Sequence, residues 1–261
     1  MGRKRETIAG TYQTSTGEVE VRVDPHGGYE IFVNHVPSSH ISDDPLRLEY
    51  EYMRWIVALC PLIEQRFDVD KLRITHLGGG ACSMPRYFVA KYPRSRNSVV
   101  ELDSELTQLV RQWFQLPAAP QLKIRAGEAR AVADTFVPQS RDVVIRDVFA
   151  QAVTPDNLCE LAFYRQIHAS LSDSGLYIAN CGDHKDLKGA KAELRGMAEV
   201  FAHLAVIADP SMLKGRRYGN IILVGSDKPV PVLPEITREL LQGGVPAQMK
   251  NDEWVRAFMV G

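Results

Sequence analysis

Short runs in which apolar and polar residues alternate occupy the beginning of the chain. Within residues 7–36 these runs, for example Val19–Val23, are broken by Thr16-Gly17 and by a Gly-Gly pair that favours a turn. A period of two residues is typical of strands that bury one face. The pattern predicts a small antiparallel β unit ending near Pro37, and we assign residues 1–40 to this N-terminal subdomain.

An amphipathic helix is predicted directly after this unit. Asp43-Asp44-Pro45 have the residue types of a helix cap and first turn. The apolar residues that follow recur at helical spacing, namely Leu46, Tyr50, Met53, Ile56, Val57 and Leu62. We expect this helix to cover one side of the sheet that the next part of the chain forms.

Strands and helices alternate from residue 74 onward. The sequence predicts strands at about 74–77, 97–101, 121–125, 142–147 and 175–180, with helices at about 84–92, 104–114, 128–136 and 156–171 between them. Such alternation is typical of a mostly parallel sheet with helices on both faces. A helix at about 186–202 and strands at about 204–208 and 220–224 then predict an antiparallel end to the sheet. The predicted fold class is α/β, with residues 41–261 as its main domain.

A glycine turn and an acidic strand end carry the main functional signal. Gly78, Gly79 and Gly80 follow the first of these strands, and Glu101 ends the second. Glycine lets the backbone approach a ligand closely, and a carboxylate about 20 residues later can bind the two vicinal hydroxyls of a ribose. The unit predicts a nucleoside site, which dinucleotide-binding dehydrogenases and S-adenosylmethionine-binding enzymes share. No Lys-Ser or Lys-Thr pair follows the glycines, and this excludes a P-loop.

Composition narrows the class of protein. The hydrophobic content of 45% supports an ordinary buried core in a globular chain of 261 residues. Lys and Arg total 31 against 32 Asp and Glu, so the net charge indicates neither nucleic acid nor an anionic membrane as a partner. The seven histidines show no metal-binding spacing.

The cysteines and the N-terminus indicate a cytoplasmic protein. The four cysteines are widely spaced and include no C-x-x-C pair, which fits reduced thiols. The basic residues 1–5 are not followed by an apolar run, so we expect neither a secretory signal nor a membrane anchor. No stretch approaches the roughly 18 apolar residues of a transmembrane helix.

The polar segments at the predicted strand ends resemble a known family. Ligands of such sheets bind at the carboxyl ends of the strands, where this chain has residues 78–80, 101–103, 127–130 and 146–149. With the Leu171–Gly175 turn, this set resembles the S-adenosylmethionine-dependent methyltransferase fold and, within it, the spermidine synthase (polyamine aminopropyltransferase) family. The family motif G-G-G-D-G-G-x-x-R aligns with residues 78–86, which keep the three glycines and Arg86. The resemblance implies a Rossmann-like methyltransferase fold with a mostly parallel sheet and a small N-terminal antiparallel β subdomain.

The resemblance also implies a role for each strand end. The Gly78–Gly80 turn would hold the nucleoside, and Glu101 falls on the acid that binds its ribose. Gly127 and Glu128 fall on a Gly-Asp pair whose carboxylate contacts the adenine amino group. Asp147 begins the gate-loop pattern D-x-x-D and is the expected base toward the attacking amine.

The reaction of the family is aminopropyl transfer. The resemblance implies decarboxylated S-adenosylmethionine as co-substrate, an amine such as putrescine as acceptor, and no covalently bound cofactor. The transfer needs no metal because the sulfonium is already an activated leaving group. The resemblance further implies a cytoplasmic homo-oligomer, a dimer or tetramer, that binds neither nucleic acid nor membrane.

Three positions depart from the family pattern in the half of the site that binds the amine. Ala81 replaces an Asp that holds the aminopropyl amine, Ala150 replaces the second gate-loop Asp, and Ser38 aligns with a Gln. The family's Tyr and His have no counterpart within residues 43–49. Burying a dication without paired carboxylates is costly, so we expect putrescine to bind poorly. A methyltransferase using intact S-adenosylmethionine and a non-catalytic nucleoside-binding homologue therefore stay open, and a dehydrogenase is less favoured.

Several of these residues also have a structural interpretation. Asp147 could cap a helix or pair with Arg146 or Arg130, and Glu128 could begin a helix. Ion pairing is favoured over catalysis for the arginines, Arg86 included.

His76, inside an apolar strand, is predicted to be packed in the core. Cys82 follows the glycine turn, where a helix N-terminus could lower the pKa of its thiol and create a nucleophile. No histidine is placed by the sequence to activate this thiol, so we do not favour that interpretation.

Overall fold

The computed structural model describes residues 8–150 and 153–260 of the chain. Residues 1–5, which we interpreted as neither a signal nor an anchor, lie outside them. The described residues form a four-stranded antiparallel sheet and an eight-stranded mixed sheet. None of the helices in this part of the chain has the length and apolar character that crossing a bilayer requires.

The four-stranded sheet contains β1 (Gly10–Thr14), β2 (Gly17–Val23), β3 (Tyr29–Val33) and β4 (Val36–Ile41), in that order. It confirms the predicted antiparallel unit, but β4 continues to Ile41 and the end predicted near Pro37 is wrong. The strand is longer because Ser39, His40 and Ile41 are buried and pair with β3 beyond an irregularity at Ile31. The division of the chain into two domains at residue 40 stays a prediction.

The helices in chain order are α1 (Glu51–Val57), α2 (Cys60–Arg66), α3 (Ser83–Lys91), α4 (Ser104–Trp113), α5 (Ala129–Ala133), α6 (Leu161–Ser170), α7 (Lys188–Ala198), α8 (Pro210–Leu213), α9 (Pro234–Leu240) and α10 (Asp252–Val260). The single helix predicted from residue 45 is wrong, since residues 46–50 are not helical and a break separates α1 from α2. Pro61 lies in the first turn of α2, where its missing N–H and its ring prevent α1 from continuing.

The eight-stranded sheet contains β5 (Arg73–Leu77), β6 (Arg96–Glu101), β7 (Leu122–Ala126), β8 (Arg141–Arg146), β9 (Leu171–Asp183), β10 (His203–Ala208), β11 (Gly219–Ser226) and β12 (Gln248–Lys250). Their order is β12-β10-β11-β9-β8-β5-β6-β7. Strands β5 to β9 pair in parallel, whereas β10, β11 and β12 pair antiparallel to their neighbours. This topology confirms the predicted α/β fold and its antiparallel end.

Element ends differ from the predicted ones where short pieces interrupt the periodic pattern. The helix predicted from residue 156 begins as a separate 3₁₀ turn at Asp156–Leu158 and resumes as α6. Helix α5 stops at Ala133, and β9 starts already at Leu171. The elements α8, α9, β12 and α10 were not predicted; α8 and β12 have only four and three residues, too few for a periodic signal.

Strands β5 and β8 are neighbours in the sheet although β6 and β7 lie between them in the chain. The chain therefore leaves β5 on one side and returns to β8 on the other, which opens a crevice beyond their carboxyl ends. Gly78 follows β5 and Asp147 follows β8. The topology thus brings the two predicted halves of the site to one place.

A buried ion pair anchors α7 beneath this crevice. The guanidinium of Arg146 is fully buried and contacts both carboxylate oxygens of Glu193, at 2.8 and 2.9 Å. Arg146 also donates to the carbonyl oxygens of Leu158 and Asn180, and the Tyr164 hydroxyl donates to Glu193 at 3.0 Å. Two buried charges are therefore matched by several hydrogen bonds, and neither can be removed alone without leaving the other unpaired.

We predict that Glu193→Gln lowers the free energy of unfolding by about 3–5 kcal/mol, because it leaves the Arg146 charge buried without a counter-ion. Urea denaturation of both proteins measures this difference. Glu199→Gln, on the exposed end of the same helix, is the matched control and should change stability by about 0.5 kcal/mol or less. A loss of less than about 1 kcal/mol for Glu193→Gln would show that the pair is not structurally important.

Candidate active site

The glycine turn after β5 adopts a backbone conformation that excludes side chains. Gly78 has φ +83°, and a Cβ there would collide with the carbonyl oxygen of Asp147. A Cβ on Gly79 would collide with Val99, and Gly80 has φ +48° and faces the hydroxyl of Ser39. The backbone of the turn is therefore in direct contact with Asp147, Val99 and Ser39, and its amide groups point toward the end of β6.

The Glu101 carboxylate receives these amides. Its Oε2 accepts hydrogen bonds from the N–H of Gly79 at 2.9 Å and of Gly80 at 2.8 Å, and its Oε1 accepts from the N–H of Asp103 at 3.0 Å. The side chain is half-buried. A carboxylate offers about four acceptor positions, so one stays open for a ribose hydroxyl. The structure thus joins the two residue groups that the sequence predicted as nucleoside ligands.

Glu128 lies at the end of β7 and caps the short helix α5. Its oxygens accept hydrogen bonds from the N–H of Arg130 at 2.9 Å and of Ala131 at 2.7 Å. This is the helix-start arrangement that we considered as the alternative for Glu128. Gly127, next to it, donates its N–H to the carbonyl of Glu101 at 2.8 Å. Contact of Glu128 with an adenine amino group stays a prediction.

Asp147 is held at both carboxylate oxygens. Oδ2 accepts from the Tyr52 hydroxyl at 3.0 Å, and Oδ1 accepts from the side-chain amide of Asn180 at 2.9 Å. Burial raises the pKa of Asp147 above its ordinary value, against the lowering effect of these two hydrogen bonds and of the Arg146 charge. Burial and the Asp147 carboxylate in turn raise the pKa of Tyr52, which keeps this hydroxyl protonated as a donor.

The alternative partners considered for Asp147 are occupied elsewhere. Arg146 pairs with Glu193, and Arg130 pairs with Asp134 at 2.9 Å and with Glu160 at 3.2 Å. The expected ion-pair role of Arg130 is confirmed. Asp147 is therefore a half-buried acid that interacts with neutral donors, in a position to accept a proton.

Two residues of this site were missed by the sequence analysis. Tyr52 lies on α1, three residues after the segment 43–49 in which the family's tyrosine was expected. Its ring stacks on that of Tyr50, with 6.2 Å between the ring centroids. Asn180 lies near the carboxyl end of β9. The signal for Asn180 was available, because the rule that strand ends carry the ligands applies to the fifth parallel strand as well.

The three departures from the family pattern lie in different environments. Ala81 is fully buried, packs with the core of the small sheet and donates its N–H to Ser39 at 3.0 Å. Ser38 is half-buried beside Gly80, and Ala150 is exposed. Ala81 therefore belongs to the contact between the two sheets.

The remaining residues singled out by the sequence have structural roles. His76 is buried, packs against Phe88 and forms a hydrogen bond with Asn97 at 3.1 Å, which confirms that it belongs to the core. Burial lowers the pKa of His76 to about 4. Cys82 is buried, and burial raises the pKa of its thiol to about 12, which is consistent with our not favouring it as a nucleophile. Arg86 donates to the carbonyl of Ser42 at 3.2 Å and braces the segment before α1.

Comparisons with known proteins show which sequences and folds this chain is similar to. No protein-family model matches the chain. A solved structure of a probable spermidine synthase from Corynebacterium glutamicum is 57% identical, superposes with a TM-score of 0.94, and the match covers 98% of this chain and 95% of that one. Human methyltransferase-like protein 13 in complex with SAH, at 20% identity and a TM-score of 0.59 over 82% of this chain and 94% of that one, shares the fold.

Among curated proteins, a polyamine aminopropyltransferase of Vibrio vulnificus is 27% identical over 136 residues. The match covers 51% of this chain and 44% of that protein. The chain spans about half the length of the curated aminopropyltransferases that it matches.

We predict that Gly78→Ala abolishes nucleoside binding, because its Cβ has no space beside the Asp147 carbonyl and would displace the turn from Glu101. Gly27→Ala is the matched control: its φ is also positive, at +102°, but a Cβ there meets nothing within 4 Å. Calorimetric titration with 5′-methylthioadenosine compares the two variants. Equal affinities would contradict a role of this close contact in binding.

Proposed function

This chain belongs to the spermidine synthase (polyamine aminopropyltransferase) family, and we propose that it transfers an aminopropyl group from decarboxylated S-adenosylmethionine to an amine such as putrescine. The observation that supports this most is Asp147, an acid of raised pKa held between Tyr52 and Asn180 beside the glycine turn. Its carbonyl oxygen touches the position of Gly78, so the base and the nucleoside turn are adjacent. Amine alkylation requires a proton acceptor close to the nucleoside that carries the transferred group.

The proposed chemistry is a single displacement. The amine nitrogen forms a bond to the propyl carbon attached to sulfur, and the carbon–sulfur bond breaks with its electron pair going to sulfur. The products are an aminopropylated amine and 5′-methylthioadenosine. Asp147 takes the proton that the attacking nitrogen loses, and the Tyr52 and Asn180 hydrogen bonds keep its carboxylate aimed at that nitrogen.

The nucleoside half of the proposed site consists of Glu101 toward the ribose, the Gly78–Gly80 turn whose amides hold this carboxylate, and Gly127 with Glu128 toward the adenine. The proposed cellular setting is the cytoplasm and the proposed assembly is a homodimer or larger homo-oligomer, both on the resemblance.

A methyltransferase that uses intact S-adenosylmethionine is the second candidate. It is favoured by Ala81, since an alanine cannot make the contact that the family's Asp makes with the aminopropyl amine. The shared methyltransferase fold accommodates either nucleoside. A non-catalytic nucleoside-binding homologue is the third candidate, because Ala150 and Ser38 also depart from the family pattern.

We predict that the protein binds decarboxylated S-adenosylmethionine more tightly than intact S-adenosylmethionine in calorimetric titration. The carboxylate of the intact form would enter a site that already contains the acid Asp147, and like charges repel each other. Preference for the intact form would move the assignment to methyl transfer. Binding of neither compound would contradict the proposed function and favour a structural role.

We predict that Asp147→Asn lowers kcat by about 10²–10⁴-fold with decarboxylated S-adenosylmethionine and putrescine, because the proton acceptor is lost. Since the pKa of Asp147 is raised above 3.8, wild-type kcat/KM should fall with decreasing pH as the carboxylate is protonated, and the variant should lack this limb. Tyr52→Phe removes a hydrogen bond that lowers the pKa and should shift the limb to higher pH.

Asp173→Asn, an exposed acid at the start of β9, is the control for this series and should leave the pH profile unchanged. Turnover of Asp147→Asn within a few-fold of wild type would refute the assignment of the base.

A further inference from the structure

The turn between β1 and β2 reaches across to the main sheet and contacts a buried acid two residues after Glu101. Asp103 is 1% exposed and has no cationic partner among the described residues. It accepts hydrogen bonds from the Ser15 hydroxyl at 2.7 Å, the Thr16 hydroxyl at 2.6 Å and the Thr16 N–H at 3.2 Å. Ser15 and Thr16 themselves are exposed. The contact therefore brings a surface turn to the edge of the predicted ribose site.

Helix capping explains only one oxygen of Asp103. Oδ1 accepts from the N–H of Glu105 at 3.1 Å and of Leu106 at 2.8 Å, as expected for the cap of α4. Both donors to Oδ2 come from Thr16. Burial alone would raise the pKa of Asp103, but the hydroxyls of residues 14–16 and the Leu106 amide outweigh it and lower that pKa well below the ordinary value. The second oxygen thus serves the turn between β1 and β2.

The backbone of Asp103 continues this contact into the site. Its N–H donates to Oε1 of Glu101, whose other oxygen accepts from Gly79 and Gly80. The glycine turn returns to the small sheet, because Ala81 donates its N–H to Ser39 and the Ser83 hydroxyl donates to the carbonyl of His40. The small sheet is therefore hydrogen-bonded both to Asp103 and to the residues that follow the glycine turn, and Asp103 and the glycine turn itself donate to Glu101.

We propose that Ser15 and Thr16 are positioning residues for the ribose-binding carboxylate: by fixing Asp103 they fix the hydrogen bond that orients Glu101. The proposal rests on the proposed nucleoside site. It assigns to the small sheet a part in ligand specificity, because the carboxylate must keep one acceptor position free and correctly directed for a ribose hydroxyl. Without the turn, Asp103 can still cap α4 through Oδ1, but rotation of its backbone N–H away from Glu101 is no longer opposed.

The test compares Thr16→Val, which removes the hydroxyl with little change of shape, with Thr11→Val, an exposed threonine on β1 of the same hairpin. Each protein is titrated with 5′-methylthioadenosine and with its 2′-deoxy counterpart. We expect Thr16→Val to bind the ribonucleoside about five- to tenfold more weakly and the 2′-deoxy compound with unchanged affinity. Thr11→Val should match wild type with both compounds.

A merely structural role would weaken both ligands equally, and no role would weaken neither; either result overturns the proposal. A second readout needs no ligand. Hydrogen exchange of the Gly79 and Gly80 amides, which are bonded to Glu101, should be faster in Thr16→Val than in wild type, whereas unchanged exchange overturns the proposal. If the wild-type protein binds neither nucleoside, the proposed function fails, and the exchange rates still decide whether the turn positions Glu101.

Discussion

The contact on which the site depends is the close approach of the glycine turn to the end of β8. At Gly78 the backbone lies against the carbonyl oxygen of Asp147, and only a residue without a Cβ fits there. This contact places the amides of the turn over the end of β6, where they donate to Glu101, and holds the main chain of Asp147 against the turn. The nucleoside half and the proton-accepting half of the proposed site therefore have one geometric origin, the crossing between β5 and β8.

The two halves are stabilised in different ways. Glu101 is held by the backbone amides of Gly79, Gly80 and Asp103, whose positions depend on the course of the main chain. Asp147 is held by the side chains of Tyr52 and Asn180, and behind Asn180 lies the buried pair of Arg146 and Glu193. A side-chain substitution therefore acts directly on the partners of Asp147, whereas it reaches the amides around Glu101 only by moving the main chain, as a Cβ on Gly78 would.

The small sheet contacts the rest of the protein through both apolar packing and hydrogen bonds. Val19, Val21 and Ile31 form a buried cluster with Leu106 and Val110 of α4. The hydrogen bonds of Ser39 and of the β1–β2 turn lie at the margins of this cluster and end on the glycine turn and on Asp103. Apolar packing stabilises the contact of the small sheet with α4. The directional hydrogen bonds fix how the small sheet is oriented relative to the glycine turn and Asp103.

The sequence by itself determined the α/β class, the alternating elements from residue 74 to 224 and the approximate positions of Gly78–Gly80, Glu101 and Asp147, because periodicity and glycine spacing are local properties. It did not determine the break between α1 and α2, the short C-terminal elements, or the partners of Asp147. Tyr52, Asn180 and Asp147 are far apart in the chain, and Asp103 meets Thr16 across two sheets. Only the tertiary structure decided these contacts, since hydrogen bonds between distant segments depend on the order of strands and leave no period in the sequence.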